Sequence, residues 1–150
     1  MLIKNIAFPI LAIDYGTKNT GFAIATDHTC ALYIQESTTG DKQDILDIIA
    51  KYKPATLLFG LPINTQNKKQ SDKVKSLAGY IKSKTNLPVL FQDERFSSQI
   101  ADSILSNISF ASTISNKHNL NKPSQKERNN DNDQVAAFVI LDIFLQTHFK

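Results

Sequence analysis

Apolar positions along this chain fall first into short runs and later into helical stripes. Residues 10–13 (ILAI) form an apolar run that stops at Asp14, and residues 22–25 (FAIA) form a second that stops before Asp27, with Gly16 and Gly21 between them. Runs this short, fenced by glycine, predict two strands joined by a tight turn. Residues 31–35 predict a third strand, and residues 38–41 supply turn and helix-cap chemistry. The period then changes. Ile45, Ile48, Ile49 and Tyr52 fall at i, i+3, i+4 and i+7, one face of an amphipathic helix that Pro54 ends. Residues 55–59 are a short apolar strand that runs into Gly60-Leu61-Pro62, where a glycine and a proline turn the chain out of the sheet. A second helix follows with Val74, Leu77, Ala78 and Ile81 as its stripe, ringed by Lys68, Lys69, Lys73, Lys75, Lys82 and Lys84. Residues 88–91 predict a further strand, with Asp93, Glu94 and Arg95 at its exit. Ser97 or Ser98 can cap the next helix, whose core face is Ile100, Ala101, Ile104, Leu105 and Ile108. Residues 111–131 are polar and without period, which predicts a mobile loop. Residues 135–145 are almost continuously apolar and predict a buried helix with Asp133 at its start.

This order predicts an α/β fold: a mixed sheet of three hairpin-connected N-terminal strands and two parallel strands, flanked by helices. At 150 residues the chain suits a single domain, 1–150, with no internal repeat. Net charge is only +3, yet the lysines cluster, so that figure understates any local anion-binding surface. The single cysteine, Cys30, excludes an internal disulfide framework and the usual zinc-ligand spacings. No segment approaches the roughly 20 apolar residues of a membrane span. The apolar stretch after Lys4 is interrupted by Pro9 and lacks a cleavage site. A soluble, cytoplasmic protein is expected.

In open α/β sheets, sites form beyond the carboxyl ends of the parallel strands. Here those ends are Asp14, Gly60 and the Asp93-Glu94 pair, and Asp133 opens the last helix. Converging carboxylates repel one another unless a cation neutralises them. Hard oxygen donors of this kind select Mg²⁺ or Mn²⁺. Each acid also has a plainer reading. Asp14 can accept hydrogen bonds from the turn that follows it, Asp133 can cap its helix, and one of Asp93 and Glu94 can hold the Ser97/Ser98 amides. Adjacent strand residues point to opposite faces, so Asp93 and Glu94 cannot share one role.

The segments IDYGTKNTGFAIATD, FGLPIN, LFQDERFSS and NDQVAAFVIL, in this order and spacing, resemble the RuvX (YqgF) family of RNase H-like nucleases. The likeness spans nearly the whole chain. It implies an RNase H-like fold and a metal-dependent phosphodiesterase that trims the 5′ end of pre-16S rRNA during ribosome biogenesis, with Holliday-junction resolution on branched DNA as the alternative. Matched by motif, the catalytic acids are Asp14, Glu94 or its neighbour Asp93, and Asp133, with Asp14, Glu94 and Asp133 as metal ligands. Lys18 and Arg95 are the first choices for phosphate contacts, joined by Lys68 and Lys69 and by Lys122, Lys126 and Arg128 of the polar segment. A surface salt bridge is the competing role for Lys18 and Arg95. The chain departs from the family pattern at Lys18-Asn19-Thr20, where a basic residue is missing, at residues 64–69 and at Ser97-Ser98. None of these removes a candidate ligand. Asp14-Tyr15-Gly16-Thr17 with Gly21 also resembles the phosphate hairpin of actin-like ATPases, but the second domain and second hairpin of that superfamily are missing. An inactive RNA-binding assembly factor is the alternative outside catalysis. Pre-ribosomal particles are candidate partners, and the chain is expected as a monomer or homodimer.

Overall fold

The structure, a computed structural model, describes residues 5–16, 18–62, 68–93 and 125–149, with side chains in the last segment from Val135 onward. Strands β1 (Ile10–Tyr15) and β2 (Thr20–Ala25) form the expected hairpin, paired antiparallel from Ile10↔Ala25 to Tyr15↔Thr20. The turn depends on Gly16. Its N–H donates to the Asn19 carbonyl at 3.1 Å, and a Cβ there would stand 2.5 Å from that oxygen. Strand β3 (Leu32–Tyr33) is shorter than the expected 31–35 and pairs with β2 through Ala23↔Tyr33 and Ile24↔Leu32.

Helix α1 (Lys42–Tyr52) starts where the Asp41 carboxylate accepts the Gln43 N–H at 2.7 Å, satisfying a donor that the helix itself leaves open. It buries Ile45, Ile48 and Ile49, and ends at Lys53, which turns left-handed (φ 49°) and donates its N–H to Ile49. Strand β4 (Thr56–Leu61) then enters parallel to β1 and continues through Gly60 to Leu61. Gly60 is therefore within the strand, where the sequence pattern puts the exit one residue earlier. Helix α2 (Lys68–Thr85) buries Val74, Leu77, Ala78 and Ile81 as expected and leads to β5 (Val89–Asp93), parallel to β4. The sheet order is β3-β2-β1-β4-β5, which makes β1 the central strand and β5 an edge.

Both faces of the sheet are covered. On one, Leu11, Ile13, Phe22, Leu57 and Phe59 pack with the apolar stripes of α1 and α2. On the other, Ile10, Ala12, Ala23 and Leu58 pack with Ala137, Ile140, Leu141 and Phe144 of the last helix, α3 (Gln125–Phe149). Burial on both sides is why β1, β2 and β4 read as continuous apolar runs instead of alternating ones.

Helix α3 begins ten residues before the expected 135. Asp133 thus lies inside a helix and not at its start, and residues 125–131 of the expected loop are helical. Gln125, Lys126, Glu127 and Arg128 are good helix formers, but a turn that is polar all round leaves no hydrophobic period to detect. The expected helix bearing Ile100 to Ile108, and residues 111–124 of the expected loop, lie outside the described residues. The ring of Phe149 lies 5.4 Å from that of Phe8, just before β1, while Phe138 stacks on Tyr33 at 4.4 Å. Helix α3 therefore runs antiparallel to β1.

Candidate active site

Strand alternation fixes which face each carboxylate takes. Along β1, Leu11 and Ile13 face α1 and α2, whereas Ile10 and Ala12 face α3. Asp14 follows the second set, half-buried on the α3 side at the exit of the central strand. Its partner across the hairpin is Gly21. On the other side, Ile13 pairs with Phe59, so the next residue of β4, Gly60, stands beside Asp14, and Gly60 in turn pairs with Gln92. The row across the α3 face is thus Gly21, Asp14, Gly60, Gln92. Two of the chain's five glycines flank the one carboxylate of the row. Neither neighbour in the row carries a side chain, and glycine is the residue type that permits close approach to the backbone.

The exit of β1 is tied to α2. Gln70 Nε2 donates to the Tyr15 carbonyl at 2.8 Å, which brings the first turn of α2, with exposed Lys68 and Lys69, to the rim beside Asp14. Lys18 is exposed in the hairpin turn above the same strand end. On the other side of the row, Phe138 lies level with Tyr33 and hence with Ala23 and Ala12. Because α3 runs antiparallel to β1, the part of α3 before Phe138 lies toward the Asp14 end of that strand.

Strand alternation gives Asp93 the sheet face opposite the one Asp14 follows. As the last residue of β5 it pairs with Leu61 and shares the face of Val89 and Phe91, which is the α1/α2 side. Glu94, Arg95 and Lys122 lie outside the described residues, as do the side chains of Asp133, Lys126 and Arg128, whose backbone belongs to α3. Among the described residues, no three His, Cys, Asp or Glu side chains gather as a metal site. The sequence pattern did not single out Gln92 or Gln70. Nor did it show Gly21 and Gly60 as neighbours of Asp14, because only the strand register sets them there.

The architecture recurs in solved resolvase structures. The Fowlpox virus resolvase, determined with Holliday junction DNA, matches with a TM-score of 0.62 and 17% identity, covering 95% of this chain and 100% of that one. Thermus thermophilus RuvC with a Holliday junction substrate matches with a TM-score of 0.59 and 11% identity, covering 95% and 98%. At such identities the likeness concerns the fold, which is RNase H-like. The family follows from the sequence: residues 9–147 match RuvX, described as Holliday junction resolvase, and the chain belongs to this family. A Rickettsia conorii relative designated a candidate pre-16S rRNA nuclease is 31% identical over 98% of this chain and 90% of its own length. Its Rickettsia typhi counterpart is 32% identical over 97% and 95%.

Proposed function

We propose that this protein is a divalent-metal-dependent nuclease that hydrolyses phosphodiester bonds at the carboxyl end of β1, with the 5′ end of pre-16S rRNA as its substrate. The observation that carries the reading is Asp14, a carboxylate on the central strand with a glycine on each side. A hard oxygen donor of this kind fits Mg²⁺ or Mn²⁺. Asp133 lies on α3, the helix that packs over the sheet face Asp14 follows, and the motif match supplies Glu94 as the third acid. Asp14, Glu94 and Asp133 are therefore the proposed ligands. When bound, the metal supplies an activated water and stabilises the leaving oxygen.

The chain's own residues position the substrate. Asp14 is fixed by pairing on both sides of β1, and the Gln70 hydrogen bond holds the strand end against α2. Lys18, Lys68 and Lys69 at the rim, with Arg95, Lys122, Lys126 and Arg128, are proposed to hold the phosphate backbone. The rRNA assignment follows the names of the Rickettsia relatives. The family description and the resolvase neighbours favour a second reading, cleavage of branched DNA. Pre-ribosomal particles and a cytoplasmic location belong to the rRNA reading; among the described residues no helix is long and apolar enough to cross a membrane.

The test is cleavage of matched single-stranded RNA, duplex and four-way-junction substrates with Mg²⁺, with Mn²⁺ and with EDTA. Cutting of RNA that EDTA stops is the expected result. Cutting of the junction alone would select the second reading. Binding without cutting of any substrate would leave an inactive RNA-binding factor.

A further inference from the structure

Helix α2 carries six lysines and one aspartate. Lys68, Asp72, Lys75, Gly79 and Lys82 recur at the spacing of one helical stripe. The stripe starts at the rim beside Asp14 and runs down the α1/α2 side of the sheet. Its lower half borders an open groove of about 330 Å³ lined by Lys75, Ala78, Gly79, Lys82, Val89 and Phe91. Three features of this groove need an occupant to make sense. Phe91 is 44% exposed on an edge strand, with its inner side leaning on Phe59 at 6.3 Å between ring centres. Gly79 is exposed in a helix interior, where glycine is less favourable than any residue but proline. Nothing in the fold asks for it, since a Cβ there would meet no atom within 4 Å. Lys75 and Lys82 stand one turn to either side of Gly79, roughly 10 Å apart along the axis, and among the described residues neither has an ion-pair partner.

We propose that this groove is a subsite for one unpaired nucleotide of a single-stranded nucleic acid: the base stacks on Phe91 and lies flat against the bare backbone at Gly79, while Lys75 and Lys82 hold the phosphates on either side of it. A flat ring with polyanionic flanks is what an exposed aromatic, a missing side chain and two cations fit together. A duplex cannot use the slot, because its bases are already stacked. The subsite lies on the sheet face opposite Asp14, so it holds a flank of the strand and not the bond to be cut. This rests on the nucleic-acid reading of the chain and not on cleavage.

The experiment is binding of a short fluorescein-labelled single-stranded RNA, and of its duplex, by anisotropy in EDTA, where nothing is cut. Gly79→Leu fills the slot with a better helix former, so it should fold at least as well as the parent and yet lose single-strand affinity about tenfold or more. Phe91→Leu keeps the apolar contact with Phe59, removes the ring and should lose a similar factor. Lys75→Gln with Lys82→Gln should flatten the slope of log K against log[salt] by about 1.4. Duplex binding should be unchanged in the first two variants. Parent-like single-strand binding by both Gly79→Leu and Phe91→Leu would overturn the subsite, as would an equal loss for duplex or the absence of single-strand binding by the parent. A protein that binds in this way but never cuts would retain the subsite and refute the nuclease reading alone.

Discussion

Asp14 and Asp93 are both carboxylates at the ends of parallel strands, and what separates them is parity along the strand. Asp14 shares a face with Ala12 under α3, while Asp93 shares one with Phe91 beside α2. Asp14→Asn should therefore reduce cleavage by about a hundredfold or more, whereas Asp93→Asn should retain most of it. Equal losses, measured as initial rates on one substrate, would show that alternation fails at the end of β5. The apolar run that stops at Asp14 made this residue legible in the sequence. The choice between Asp93 and Glu94 was not legible, since it depends on which face β5 presents, and that follows from its register with β4. Thr20, at the start of β2, was silent for another reason: it is fully buried, and among the described residues its hydroxyl has no hydrogen-bond partner. A buried, unpaired hydroxyl costs stability. Thr20→Val should leave the thermal midpoint unchanged or raise it, and a clear drop would show that the hydroxyl has a partner in solution.

At the scale of elements, α1 was legible at both ends because its signals are local: Asp41 as cap, a stripe of isoleucines, and Pro54 beyond. The contact that ties α1 back to the segment after β3 was not. Glu36 accepts hydrogen bonds from Lys51 and from the Tyr52 hydroxyl, the latter at 2.6 Å. The Lys51 bond first, and then the Tyr52 bond, hold the Glu36 carboxyl down from 4.5 to about 2. A carboxylate with a depressed pKa stabilises the fold above its unfolded value, and the gain is lost as pH falls through the folded one. The contribution should be whole above pH 4.5 and fade towards pH 2. Because Glu36 is partly exposed, the gain at neutral pH is at most about 1 kcal/mol after screening. Glu36→Gln should thus melt slightly below the parent at pH 7, and the gap should close on acidification towards pH 2. A gap that is constant across this range would exclude the carboxylate as its source. Helix α3 shows the opposite limit of legibility. Its buried half was evident from residues 135–145, but its first ten residues carry helix propensity without a buried stripe.

For the whole molecule, the runs and stripes were enough to give a mixed sheet between helical layers, because burial on two faces leaves its mark in composition. They could not give the row around Asp14 or the groove at Gly79, since both arise where residues distant in sequence meet across strands. The two features lie on opposite sides of one sheet, so a strand that occupied both would run round the molecule, and cations remote from the cut bond would then contribute to holding it. Lys126 and Arg128 belong to the first turn of α3, roughly one and a half to two turns before Asp133 on the same helix. Lys122 lies three residues before that helix begins. Substituting alanine at these positions removes charge and raises helix propensity, so a loss of binding would report on charge and not on a melted helix. If the three contact the backbone, Lys122→Ala, Lys126→Ala and Arg128→Ala combined should flatten the salt slope for single strands by up to about two units and weaken binding alike for all sequences. If the triple variant binds and cuts like the parent at every salt concentration, this end of α3 takes no part in holding nucleic acid, and the phosphate contacts are confined to Lys18, Arg95 and α2.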